Sequence, residues 1–143
     1  HNVMHSSNRI LFCFFMILIA LLLTQCSSKT SDELVKEGIA LSEKGDYKNA
    51  FDAFMKATEF DPKNPAAHYG LGGMFNYQNK HEEAKQAFQT VIKLDPAHFN
   101  ARYSLGFTYE KLGKPELAKA EFARYDSLKK RLETMTAKEQ EKP

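Results

Sequence analysis

The chain has 143 residues, 43% of them apolar and 27% charged, and its 20 Lys and Arg against 18 Asp and Glu leave a formal charge of +2. That composition suits one globular domain and excludes a collagenous, disordered or disulfide-stapled chain. A near-neutral balance also argues against nucleic acid as a partner, since nucleic-acid binders show a strongly basic domain or face.

The first element is an unbroken apolar run from Ile10 to Leu23, preceded by Arg9 and without a counterpart later in the sequence. A spanning helix needs about 20 apolar residues, whereas 7 to 15 is the usual length of a signal-peptide core. The run therefore reads as a targeting segment. Leu23-Thr24-Gln25-Cys26 follows it and resembles a bacterial lipoprotein lipobox, with Leu23, Thr24 and Cys26 matching and Gln25 standing where Ala, Gly or Ser is usual. The resemblance implies that residues 1–25 are a removed signal peptide and that Cys26 becomes the lipid-bearing first residue. It also implies a chain held in a bacterial cell envelope, with Ser27 pointing to the outer membrane rather than the inner in a diderm. The alternative is an uncleaved signal anchor ending in a free thiol. Two acyl chains or more give stable anchoring, at about 0.8 kcal/mol per buried methylene. Residues 26–30 then form a tether, and Ser27 to Thr30 reach no further than about 14 Å at roughly 3.5 Å per residue.

From residue 31 onward the sequence repeats every 34 residues. Gly38, Gly72 and Gly106 share this spacing, as do Ala50, Ala84 and Ala118, and Phe54, Phe88 and Phe122; Asp61-Pro62 recurs as Asp95-Pro96. Within the first unit, Leu34, Gly38, Leu41, Ala50, Phe54 and Ala57 recur at threes and fours, the stripe of an amphipathic helix pair. Thr30-x-x-Glu33 is a capping box, Asp46 an N-cap, and Pro65 and Pro115 occupy first helical positions, where the missing N–H costs nothing. Pro62 and Pro96 end second helices. Three units, 31–64, 65–98 and 99–132, give six helices and no strands. Lys130 replaces the expected proline, so the last helix runs on from 116 to about 136 with Leu128, Leu132 and Met135 on its stripe, and caps the stack. Ala137 to Pro143 is read as a frayed, charged end of 133–143.

Leu71-Gly72-x-x-Phe75 and Leu105-Gly106-x-x-Tyr109, followed by Ala-x-x-x-Phe and Pro, resemble the tetratricopeptide repeat. The resemblance implies an all-α tetratricopeptide-repeat α-solenoid of three helix-hairpin units with an extended C-terminal capping helix. It further implies that the first helix of each unit lines a concave groove. Counting round those helices, Val35, Ile39, Ser42 and Gly73 point inward, and the binding residues are Tyr69, Asn76, Tyr77, Asn100, Tyr103, Phe107 and Glu110. Rings supply contact area with little rotamer entropy to lose, and Asn76, Asn100 and Glu110 offer hydrogen bonds. The family's clamp for a C-terminal carboxylate needs basic residues, whereas the matching places hold Val35, Ile39, Gly70, Asn100 and Ser104. The expected occupant is apolar rather than acidic.

Gly70-Leu71-Gly72-Gly73 is not a phosphate loop, since no strand precedes it and no Lys-Ser/Thr follows. Gly72 is read as a packing residue; Gly70 and Gly73 either admit a ligand backbone or are tolerated without a role. His68, His81 and His98 lack ligand spacing, so no metal is expected. No nucleophile stands with a base, no cofactor is called for, and the chain is read as no enzyme. The expectation is a membrane-anchored module that binds a protein or peptide segment. The alternative is a structural or assembly subunit, pilotin-like, of a bacterial envelope complex. Pairing of two copies through the terminal helices stays open.

Overall fold

The computed structural model describes residues 29–141, and six α-helices follow one another in that span: α1 (Ser31–Glu43), α2 (Tyr47–Phe60), α3 (Pro65–Tyr77), α4 (His81–Leu94), α5 (Phe99–Lys111) and α6 (Pro115–Gln140). No strand occurs among the described residues. The fold is the three-hairpin α-solenoid expected from the 34-residue period. The apolar run Ile10–Leu23, Cys26 and the reading of both as a lipoprotein signal lie outside the described residues.

Local chemistry starts and stops these helices. Thr30 closes a capping box on α1, with Glu33 N–H donating to Thr30 Oγ1 at 3.3 Å and Thr30 N–H to Glu33 Oε2 at 3.0 Å. Asp46 caps α2 by accepting from Asn49 N–H at 3.3 Å, and Pro65 and Pro115 open α3 and α6. Three hairpin turns use one left-handed residue each, in repeat register: Gly45 (φ 79°), Asn79 (φ 60°) and Gly113 (φ 70°). Each turn carries the paired hydrogen bonds of a Schellman end, such as Gly45 N–H to Ser42 O and Asp46 N–H to Leu41 O.

Packing turns the period into geometry. A Cβ on Gly38, Gly72 or Gly106 would come within 2.7 Å of the ring of Phe54, Phe88 or Phe122, respectively. Glycine at these places lets the second helix of each hairpin seat its phenylalanine against the first. Ala50, Ala84 and Ala118 are buried at the same crossings. Phe75 packs against the buried cluster around Phe54 and also against the one around Phe88, so a single core runs between units. First helices touch their successors, α1 with α3 and α3 with α5, whereas the second helices α2 and α4 do not touch each other. The first helices therefore form the inner layer.

The third unit is built differently. Where the first two units bury Ala53 and Ala87, α6 buries Glu121, which pairs with Arg102 at 3.2 Å and with Arg124. The last helix also runs further than expected. It begins at Pro115 and continues through Gln140, because Ala137 to Gln140 are good helix formers rather than a frayed tail. Leu132 and Met135 are 50% and 61% exposed, so the far half of α6 projects past the stack instead of covering it.

Candidate functional site

A cleft of about 370 Å³ opens on the inner layer. Its walls are Val35, Ile39 and Ser42 from α1 and Tyr69, Gly70, Gly73 and Met74 from α3; Phe54 and Phe88 reach it from the second helices, and His98 and Ser104 close it toward the third unit. Glu43 is the lone carboxylate among the lining residues, and no Lys or Arg lines it. Such a lining stabilises an apolar occupant by the area it dehydrates, roughly 25 cal/mol per Å².

The polar groups at the rim are mostly committed. Ser42 donates to Gly38 O at 2.8 Å within its own helix. His98 is the N-cap of α5, its Nδ1 accepting from Ala101 N–H at 3.0 Å, in the register held by Thr30 and Asn64 in the earlier units. The His98 ring stacks on Tyr69 at 5.0 Å, and the Tyr69 hydroxyl lies 3.4 Å from Ser104 Oγ. Tyr69 is thus held in the wall, with the Phe88 ring also tilted against it at 5.7 Å. Glu82, whose carboxyl is held below its ordinary value chiefly by the hydrogen bond from Lys85, is on the outer helix α4 and not part of the cleft.

Of the residues expected to bind, Tyr69 lines this cleft. Asn76 does not reach it: its amide nitrogen donates to Thr108 Oγ1 at 2.8 Å and its oxygen faces His81 Nδ1 at 2.9 Å, so the side chain joins α3 to α5. Tyr77 is exposed and stacks at 4.1 Å on Tyr47, beside the hairpin turns. Asn100, Tyr103, Phe107 and Glu110 are exposed on α5. Tyr103 and Phe107 hold the repeat positions of Tyr69 and Gly73, and so continue the inner surface one unit on. Tyr103 leans on Phe122 and Tyr125 at 5.4 and 5.2 Å, and Phe107 carries the Lys111 ammonium 5.1 Å from its centroid.

The two adjacent glycines of α3 divide. A Cβ at Gly70 would run into the Phe54 ring, so this glycine is required by packing and the reading of it as a residue without a role, or as a gap for a ligand, is corrected. A Cβ at Gly73 would meet nothing within 4 Å, and this position is an open notch in the cleft wall. Met74 and His98 were not among the expected binding residues. His98 was findable from its register with the caps Thr30 and Asn64; Met74 had no comparable signal. Among the described residues no group of three His, Cys, Asp or Glu is placed to hold a metal ion. No helix there is long and apolar enough to cross a membrane.

A family model described as "TPR repeat" matches residues 38–75 and 72–113, and one described as "Tetratricopeptide repeat" matches residues 99–131. No curated protein matches the chain. Among solved structures, a crystal structure of MamA is similar at a TM-score of 0.68 and 22% identity, with 73% of this chain and 61% of that one covered. The second TPR of Spaghetti (RPAP3), bound to the HSP90 peptide SRMEEVD, is similar at 0.67 and 22%, over 70% of this chain and 93% of that one. The first TPR of the same protein, bound to the same peptide, stands at 0.67 and 24%, over 71% and 81%. This chain thus spans about six tenths of the length of the MamA structure. At these identities the likeness is one of fold.

Proposed function

The chain belongs to the tetratricopeptide-repeat family, and from that premise we propose that it is a membrane-anchored docking module that seats an apolar peptide or protein segment in the α1–α3 cleft. The observation that carries this reading is the lining itself: an open notch at Gly73 between Ile39, Tyr69 and Met74, with no Lys or Arg around it. The RPAP3 domains, which share the fold, are bound to a peptide rich in carboxylates, SRMEEVD. An acidic tail finds no cationic partner in this cleft. Its occupant is an uncharged segment, gripped by area and shape, with Tyr103 and Phe107 extending the contact along α5. The role is positioning, without a reaction.

Anchoring rests on the sequence Leu23-Thr24-Gln25-Cys26. With lipid on Cys26, the short tether keeps α1 near a bacterial envelope membrane, the outer one in a diderm, and presents the cleft to neighbours there. A second reading, a structural or assembly subunit of an envelope complex, draws on the uncovered face of α6. Stoichiometric co-purification favours that reading, and a weak, exchanging client favours the module.

The test fills the notch. Gly73→Leu is expected to abolish partner recovery in a pull-down while leaving the helical circular dichroism intact, and unchanged recovery rejects the cleft as the site. For the anchor, metabolic labelling with an alkyne fatty acid is expected to tag the chain and to lose that tag in Cys26→Ser. An untagged chain, or a tag that survives Cys26→Ser, rejects lipidation at Cys26.

A further inference from the structure

Helix α6 is 26 residues long, and its partner α5 is 13. The last ring contacts between them join Tyr125 to Phe99, the first residue of α5, and to Tyr103. Beyond Leu128 every described residue of α6 is exposed, yet its apolar spacing does not stop. Ala118, Glu121, Tyr125, Leu128, Leu132 and Met135 advance by alternate steps of three and four. This is a period of about 3.5 residues, the repeat of a helix meant to lie along another helix. The buried seam against α5, made by Ala118 and Glu121, thus continues through the half-buried Leu128 into solvent at Leu132 and Met135.

Charge is sorted about this seam. With Tyr125 and Leu132 at a, and Leu128 and Met135 at d, the flanking e and g places hold Lys129, Arg131, Thr136 and Lys138, while Asp126 and Glu133 fall on the far side. Lys129 lies 5.7 Å over the Tyr125 ring, and among the described residues no carboxylate pairs with Lys129, Arg131 or Lys138. We propose that the projecting half of α6, from Leu128 to Met135, is a docking seam for an amphipathic helix of another protein whose own flanks are acidic.

The rim selects that occupant over two others. A second copy of the chain would bring Lys129, Arg131 and Lys138 against the same basic set, and like charges across e and g places oppose pairing. An anionic bilayer attracts helices whose polar face is dominated by Lys and Arg. Residues 129–141 instead carry four basic and three acidic side chains, and Glu139 occupies the next a place of the seam itself. A helix with apolar a and d residues and Glu or Asp at e and g meets both the stripe and its rim. This surface is separate from the α1–α3 cleft, so the inference does not depend on what the cleft binds.

The test titrates the full chain with two labelled synthetic helices that share Leu at a and d. One carries Glu at e and g, the other Lys. The Glu peptide is expected to bind one per chain and to weaken as salt is raised, and the Lys peptide is expected not to bind. Leu132→Glu with Met135→Glu should cost more than about a hundredfold in affinity, as the loss of two buried apolar side chains implies. The thermal melt should stay unchanged, because both side chains are exposed. Reversing the rim with Lys129→Glu, Arg131→Glu and Lys138→Glu should transfer binding to the Lys peptide. Equal binding of the two peptides, or binding of neither, overturns the proposal. So does self-association in sedimentation that the double variant abolishes, or capture by phosphatidylglycerol vesicles with the Glu peptide ignored.

Discussion

A methyl group added to α3 acts in opposite directions at two places three residues apart. At Gly73 it enters open space, so alanine brings only its helix propensity, worth about 1 kcal/mol over glycine in a helix interior. At Gly70 it meets the buried Phe54 ring, and overpacking of that kind costs about 1–3 kcal/mol, more than the propensity gain returns. Gly73→Ala is therefore expected to raise the melting temperature by roughly 4 °C or more, and Gly70→Ala to lower it, in thermal denaturation followed by circular dichroism. The turn between α3 and α4 offers a second contrast, because Asn79 holds a left-handed conformation at φ 60° where the other two turns use glycine. Asn79→Ala should cost about 1–2 kcal/mol, while Asn79→Gly is expected to be neutral or stabilising. Denaturant midpoints of the two variants check both.

Between elements, the joint of the first two units is a small polar knot. Ser31 donates to Ala57 O at 2.9 Å, and Asn64 donates to Ser31 Oγ at 2.9 Å and to Asp32 at 2.8 Å while capping α3 through Ala66 N–H at 3.1 Å. Asn64 is buried and Thr30, the corresponding cap of α1, is exposed. Thr30→Ala should thus cost about 1 kcal/mol, the usual worth of a cap. Asn64→Ala should cost about 2–3 kcal/mol, because it also removes the buried bond to Ser31 Oγ and the one to Asp32. Equal losses in urea unfolding would remove the knot from the account.

The same contrast explains what the sequence disclosed. The caps at Thr30 and Asp46, the prolines opening α3 and α6, and the glycines facing Phe54, Phe88 and Phe122 are set by neighbours a few residues away or by a repeat that recurs three times. They were legible for that reason. Gly70, Asn76 and Tyr77 were not, because their roles are fixed by Phe54, Thr108 and Tyr47, each on another helix and 16 to 32 residues distant. Which ring faces the cleft is decided by how one hairpin tilts on the next, and helical counting within a single unit carries no record of that tilt. Tyr69 and its repeat partner Val35 both line the cleft, so here the 34-residue register and the tilt of the hairpins coincide.

At the scale of the solenoid, the cleft of the first two units and the projecting seam of α6 are both left uncovered by the described residues. Stacked hairpins bury only what their neighbours cover, so surfaces open at the inner layer and at the last unit follow from the architecture. The central claim is that, in the first two units, the inner layer and not the outer helices α2 and α4 meets the partner. A photo-reactive residue placed at Ile39, exposed in the cleft, and separately at Lys93, exposed on α4, tests it in intact cells. The predicted result is one discrete adduct from Ile39, lost when Gly73→Leu is added, and none from Lys93. Adducts of equal yield from both positions, or an Ile39 adduct indifferent to Gly73→Leu, would contradict it.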